Sequence, residues 1–159
     1  SFAIDLDGPG LSANDLLLLQ TEQAMTEQVS NREKVWDLEE RTAQFGEAVI
    51  DLLRKIPRDA LTSRLISQLV GASTSIGANY CEADEAVSRK DYKYRIGFCK
   101  KEARESKHFL RMIARAAPVH KEEARELWKE AKELHLIFAT LYRKTKDSDE
   151  QTPTSRAAM

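Results

Sequence analysis

Glycine, proline and aromatic residues are scarce in this 159-residue chain: six Gly, four Pro and 7% aromatics. A β-sandwich needs many more turn and β-branched residues, so the composition argues for helices. Cysteine is scarcer still. Cys81 and Cys99 stand eighteen positions apart in a helical pattern, which makes neither a disulfide framework nor a zinc site. No apolar run is longer than the four residues Leu16 to Leu19, against the roughly 20 needed to span a bilayer. No cationic segment with a small-residue cleavage site opens the chain, which points to the cytoplasm and away from a membrane. Neither sign of charge dominates: the net charge is −1, so no global basic field draws the chain to nucleic acid. What is present, 159 residues of which 42% are apolar, suffices for one domain.

The neutral total conceals a polarised distribution. Residues 1–30 carry five acids (Asp5, Asp7, Asp15, Glu22 and Glu27) and no base, whereas residues 89–115 carry ten Lys or Arg against three acids. The head reads as a separate acidic N-terminal arm over 1–30. Gly8, Pro9 and Gly10 break any regular element, and Ser12 then caps a short helix through Leu16–Leu19 to Met25. At the other end, residues 146–159 are polar, contain Pro153 and lack periodicity, so they read as a loose tail.

Between these lie four helical patterns, expected at about 31–56, 60–85, 89–117 and 119–144. Ser30 with Glu33 has the form of a capping box. From there Leu38, Phe45, Val49, Leu52 and Ile56 recur at helical spacing until Pro57. The second pattern buries Leu65, Leu69, Ala72, Ile76 and Asn79 in heptad order. Ser88 with Asp91 opens the third, whose stripe is Tyr92, Ile96, Cys99, Ala103, Ser106, Leu110 and Ile113. The fourth carries Leu127, Ala131, Leu134, Phe138 and Leu141. Sustained 3-4 spacing with short connections implies an all-α fold, an antiparallel up-down four-helix bundle over 31–145.

A bundle invites a di-iron reading, which requires two Glu-x-x-His pairs and two further Glu. The chain has one such pair, Glu105 with His108, and it lies off the apolar stripe; His120 and His135 have no Glu three positions earlier. No metal and no cofactor are expected. Cys99 lies on the core stripe, where a free Cys acts as a small apolar residue. Gly71 and Gly77 lie within a helix, so they form no phosphate loop. With no constellation for catalysis, the chain is expected not to be an enzyme.

Two clusters remain. On the second helix, Gly71, Ser75 and Ala78 form a stripe of small side chains, which suits close approach of a helix from the same chain or from a neighbouring subunit. Asn79 beside it either fixes register and oligomeric state or is a satisfied polar residue at the wet end of the bundle. On the third helix, Arg89, Lys90, Lys93 and Lys100 precede Arg104, Lys107, Arg111 and Arg115, with Tyr92, Tyr94 and Phe98 interleaved. The last four step by three or four and share one face. A clustered cationic face of this kind is either a solvated surface or a phosphate-binding one, since releasing counterions favours phosphate binding. Glu102 and Glu105 are placed to tie up some of these charges as surface ion pairs.

The stretch from Ser73 to Ile113 resembles a known family. The blocks Ser75-Ile76-Gly77-Ala78-Asn79, Glu82 and Glu85, Ser88-Arg89-Lys90-Asp91-Tyr92, Lys101-Glu102-Ala103-Arg104-Glu105 and Leu110-Arg111 occur in order. They are similar to those of the bacterial intervening-sequence proteins, which include proteins encoded within intervening sequences of 23S ribosomal RNA genes. The resemblance covers roughly residues 36–145 and implies a short up-down bundle that assembles as a homopentamer without established enzymatic activity. A more distant similarity is to the accessory variability determinant of diversity-generating retroelements, a pentameric bundle that binds nucleic acid and a reverse transcriptase. By position, the resemblance places Asn79 and Glu82 in the motif of the second helix. It places Lys101, Glu102, Arg104 and Glu105 in that of the third. Two departures stand out: Lys100 replaces a commonly apolar residue, and His108-Phe109 replaces an aromatic followed by Trp. The expectation is a ribosome-associated, RNA-binding or DNA-binding homo-oligomeric scaffold. The alternative is a protein-interaction module whose acidic arm docks on a basic face.

Overall fold

The computed structural model describes residues 12–145, with side chains described for 12–26 and 38–145. The tail at 146–159 and the segment containing Asp5, Asp7 and the Gly8-Pro9-Gly10 break lie outside the described residues, as do the side chains of Glu27, Ser30 and Glu33. Among the described residues the fold is all helical, without strands. Four α-helices, α1 (Ala13–Arg54), α2 (Thr62–Asp84), α3 (Arg89–Ala116) and α4 (Lys121–Lys144), are joined by short connections, the last containing a 3-10 turn over Pro118–His120. Contacts divide the chain into two units, Ser1–Leu38 and Glu39–Met159.

In the first unit, Ser12 caps the helix that follows. Its hydroxyl accepts from the Asp15 amide at 3.2 Å while its own amide donates to the Asp15 carboxylate at 2.9 Å. This reciprocal pair satisfies amides that a helix start leaves orphaned. No new helix begins at Ser30: α1 passes through it without a break. A cap requires a residue outside helical geometry, and no Gly or Pro between Gly10 and Gly46 removes Ser30 from it. The arm's short helix and the helix expected from 31 are therefore one element.

The second unit holds the core. Phe45, Val49, Leu52, Leu53 and Ile56 from α1 are buried, as are Ile96, Cys99, Ala103, Leu110 and Ile113 from α3 and Ala124, Ala131, Leu134 and Phe138 from α4. On α2 the buried row is Ile66, Leu69, Ala72, Ser73, Ile76, Tyr80 and Ala83. Leu65 and Asn79, expected in that row, are only half-buried. Tyr80 takes the inward position because its ring meets Phe138 of α4, centroids 5.9 Å apart. The Asn79 amide turns back to the Ser75 carbonyl of its own helix at 2.9 Å.

The contacts order the helices against one another. Thr42 lies against Gly77 and Gly46 against Thr74, which joins the 39–54 part of α1 to α2. The Cys99 thiol approaches the Ile76 carbonyl at 3.5 Å, and Arg95 pairs with Glu82. Gly97 meets Tyr142, and Lys107 lies over Trp128, joining α3 to α4. Arg41 forms a two-pronged bond with Glu130, Nε to Oε1 at 2.6 Å and Nη2 to Oε2 at 3.1 Å.

Local signals fix the ends. The Asp59 carboxylate accepts from the Leu61 and Thr62 amides at 2.8 and 2.7 Å, and these bonds hold it below the usual carboxylate range. The Asp91 amide donates to Ser88 Oγ at 3.1 Å. Pro118, which has no amide to orphan, begins the turn into α4, and Glu122 and Glu123 occupy the first turn of that helix, where the dipole favours carboxylates.

Candidate nucleic-acid interface

Because α3 is helical throughout and turns Ile96, Cys99, Ala103, Ser106, Leu110 and Ile113 inward, its cations are distributed in two rows over the remaining surface. The first row is a seam. Lys93, Lys100 and Lys107 recur every seven residues and lean across to α4. The ammonium groups of Lys93 and Lys100 sit 5.1 and 5.0 Å from the Tyr142 ring centroid, and that of Lys107 is 5.5 Å from Trp128. These contacts hold the apolar stems against aromatic faces without neutralising the charge.

The second row is Arg104, Arg111 and Arg115, all exposed. None of the three, nor Lys107, makes an ion pair among the described residues. Glu105 instead pairs with Lys101 at 3.8 Å. Glu102 is raised above the ordinary carboxylate value, first by burial and then by the neighbouring Glu105, and forms no bridge to the row. The acids expected to tie up this face leave it largely open. Arg89 and Lys90 lie exposed in the first turn of α3, two helical turns before Arg95.

His135 of α4 reports the field. Burial lowers its imidazole below the ordinary value, and Lys107, Arg104 and Lys100 lower it further. The shift records the positive potential of Lys107, Arg104 and Lys100 at this part of α4.

A groove between the end of α3 and the start of α4, about 740 Å³, adds cations that the sequence reading passed over: Lys121, Arg125 and Lys129. Their signal was the i, i+4, i+8 spacing, obscured by the interspersed Glu122, Glu123 and Glu126. Glu122 and Glu126 pair with Arg125 and Lys129 at 3.5 and 2.7 Å, and Lys121 makes no ion pair among the described residues. Neither acid lines the groove.

The small-residue cluster of α2 divides differently from the expectation. A Cβ at Gly71 would meet nothing within 4 Å, and Gly71 and Ala78 are exposed, so among the described residues no helix approaches closely at Gly71. Ser75 is half-buried. The close approach is at Gly77, where a Cβ would stand 3.2 Å from Thr42 Oγ1. Glu82 is engaged by Arg95 of α3.

Neither thiol is activated. Burial pushes Cys99 up to about 12. Cys81 is also raised, by burial first and then by the Glu39 carboxylate. No three His, Cys, Asp or Glu among the described residues converge as a metal-holding group. No helix among them is long and apolar enough to cross a membrane.

Comparisons with known proteins place this geometry. Curated proteins give no match. A crystal structure of a protein of unknown function from the S23 ribosomal protein family of Bacteroides thetaiotaomicron VPI-5482 aligns with a TM-score of 0.60 at 22% identity, covering 69% of this chain and 98% of that one. At that identity the likeness speaks for the fold alone. Residues 33–139, more than half of the chain, match the family described as 23S rRNA-intervening sequence protein. This stretch includes all of α2 and α3 and most of α4. The chain belongs to the 23S rRNA-intervening sequence protein family.

Proposed function

We propose that residues 39–145 form an antiparallel up-down four-helix bundle, and that the protein is a non-enzymatic, homo-oligomeric scaffold that associates with structured RNA through α3. The reversed pairings of Thr42 with Gly77, Ile76 with Cys99 and Gly97 with Tyr142 support the bundle. The observation that carries the RNA reading is the row Arg104, Arg111 and Arg115 beside Lys107, four cations on one face without a carboxylate partner among the described residues. Such a row matches a phosphate backbone in charge and releases condensed counterions when it binds. Lys93 and Lys100 extend it along the α3–α4 seam, and Arg89 and Lys90 continue it towards the start of the helix. The unactivated thiols of Cys81 and Cys99 agree with a binding role. Family membership favours a ribosomal RNA context in the cytoplasm.

Assembly as a pentamer would repeat the row five times and turn weak contacts into an avid surface. The open stripe of Gly71, Ser75 and Ala78, with Asn79 beside it, offers a face on which a neighbouring subunit's helix fits closely.

The test is a binding isotherm with a structured RNA fragment over a range of salt, for the wild type and for a variant with Arg104→Glu and Arg111→Glu. Both residues are exposed, so folding stability should change by no more than about 0.5 kcal/mol each. Affinity should fall at least tenfold at low salt. The slope of log affinity against log salt should become shallower by roughly 1.4–1.8, the loss of two phosphate contacts. Unchanged affinity and slope would overturn the reading.

A further inference from the structure

We infer that the groove between α3 and α4 is the docking site for the acidic, leucine-rich start of α1 from a second copy of the chain. The groove has an apolar floor that includes Leu110, Ala114, Ala124 and Trp128. Cations stand on both walls, Arg111 and Arg115 on α3 and Lys121, Arg125 and Lys129 on α4, and no acid lines it. Arg111, Arg115 and Lys121 make no ion pair among the described residues, whereas Arg125 and Lys129 are paired with Glu122 and Glu126, which the arm's acids would join or displace.

The start of α1 is the complement. Leu16, Leu17, Leu18, Leu19 and Met25 are 49%, 61%, 62%, 44% and 66% exposed, a run of large apolar side chains left open among the described residues. Such an uncovered run marks an interaction surface. Asp15, Leu18, Glu22 and Met25 fall at i, i+3, i+7 and i+10, so two carboxylates and two apolar side chains share one helical face. Asp15 spends one oxygen on the Ser12 cap, which lowers its pKa and keeps it charged, and retains the other. Seven residues of helix separate the carboxylates by about 10.5 Å, against about 12 Å between Lys121 and Lys129 on the wall. A helix lying in the groove therefore places acids against cations while Leu18 and Met25 reach the floor, the usual helix-in-groove arrangement.

The occupant is assigned to a second copy on the homo-oligomeric reading above, with the charge and spacing of the arm complementing the groove. The contact is heterologous, arm of one subunit to groove of the next, and closes into a ring or extends as a filament according to its rotation. It does not depend on the RNA reading, although Arg111 and Arg115 serve both and arm and RNA then compete for them.

Full-length chains labelled with ¹⁴N and ¹⁵N are unfolded together, refolded as a 1:1 mixture and treated with a carbodiimide, which joins a carboxylate to a neighbouring lysine amine. The expected product is a peptide pair linking Asp15 or Glu22 to Lys121 or Lys129, with about half of the pairs mixed in isotope. The yield should drop at least fivefold when Arg111→Glu and Arg115→Glu reverse the α3 wall, although every joining group remains. Pairs of one isotope only would mean that the arm docks on its own chain. Absence of these pairs would mean that something else occupies the groove. Either result overturns the inference, and neither bears on RNA affinity measured separately.

Discussion

Gly77 faces Thr42 across the contact between α2 and α1 with too little room for a methyl group: a Cβ there would stand 3.2 Å from Thr42 Oγ1. Thr42 cannot easily yield, because it is 2% exposed and its hydroxyl already donates to the Glu39 carbonyl at 3.0 Å. Gly71, two turns earlier on the same helix, has open space.

The two glycines should therefore answer the same substitution differently. Gly71→Ala removes the helix-interior penalty of glycine and, at protein concentrations where subunits are dissociated, should raise unfolding stability by roughly 0.5–1 kcal/mol. Gly77→Ala gains the same propensity but meets Thr42, and its net effect should be zero or destabilising. Gly77→Val should cost about 1–3 kcal/mol through overpacking. Urea denaturation of the three variants checks this, and equal gains from both alanines would contradict the packing described.

How far the sequence foretold this geometry varies by element. The α3 stripe from Tyr92 to Ile113 was legible because one strong heptad runs unopposed behind a Ser88–Asp91 cap, and all its members proved buried except Tyr92, which is half-buried. On α2 two overlapping rows share Leu69 and Ile76. The choice between Asn79 and Tyr80 is made by Phe138, 58 residues away in sequence from Tyr80, which local periodicity does not see. Ser30 and Glu33 carry the letters of a capping box, but a cap works only where the helix is otherwise broken, and α1 is not.

The candidate interface was half legible. The cations of α3 stood out because few acids interrupt them. The wall of Lys121, Arg125 and Lys129 did not, because Glu122 and Glu126 neutralise it in composition and pair with Arg125 and Lys129 in space. The small-residue stripe pointed to close helix approach, and the approach exists at Gly77, outside the Gly71, Ser75, Ala78 set.

His135 gives a pH-dependent signature. Burial and the cations Lys107, Arg104 and Lys100 hold its folded pKa below the ordinary 6.5. The unfolded chain therefore takes up a proton that the folded chain resists, so this contribution to stability is complete above about pH 6.5 and is lost as pH falls towards the folded pKa. His135→Gln should flatten that part of the stability profile. In wild type, an NMR titration should place the imidazole below 6.5, and bound RNA, by neutralising the three cations, should move it upward. A free-protein value above 6.5, or no movement with RNA, would contradict the electrostatics assigned to this face.

The most direct test of the proposed scaffold is its solution mass by light scattering, at low and high salt, with and without a structured RNA fragment. The account predicts a multi-subunit protein, near five subunits if it follows the family resemblance, that gains RNA mass at low salt and sheds it at high salt. A monomer whose mass RNA leaves unchanged would remove both the avid surface and the subunit contacts, and would reduce the cations of α3 to a solvated helix face.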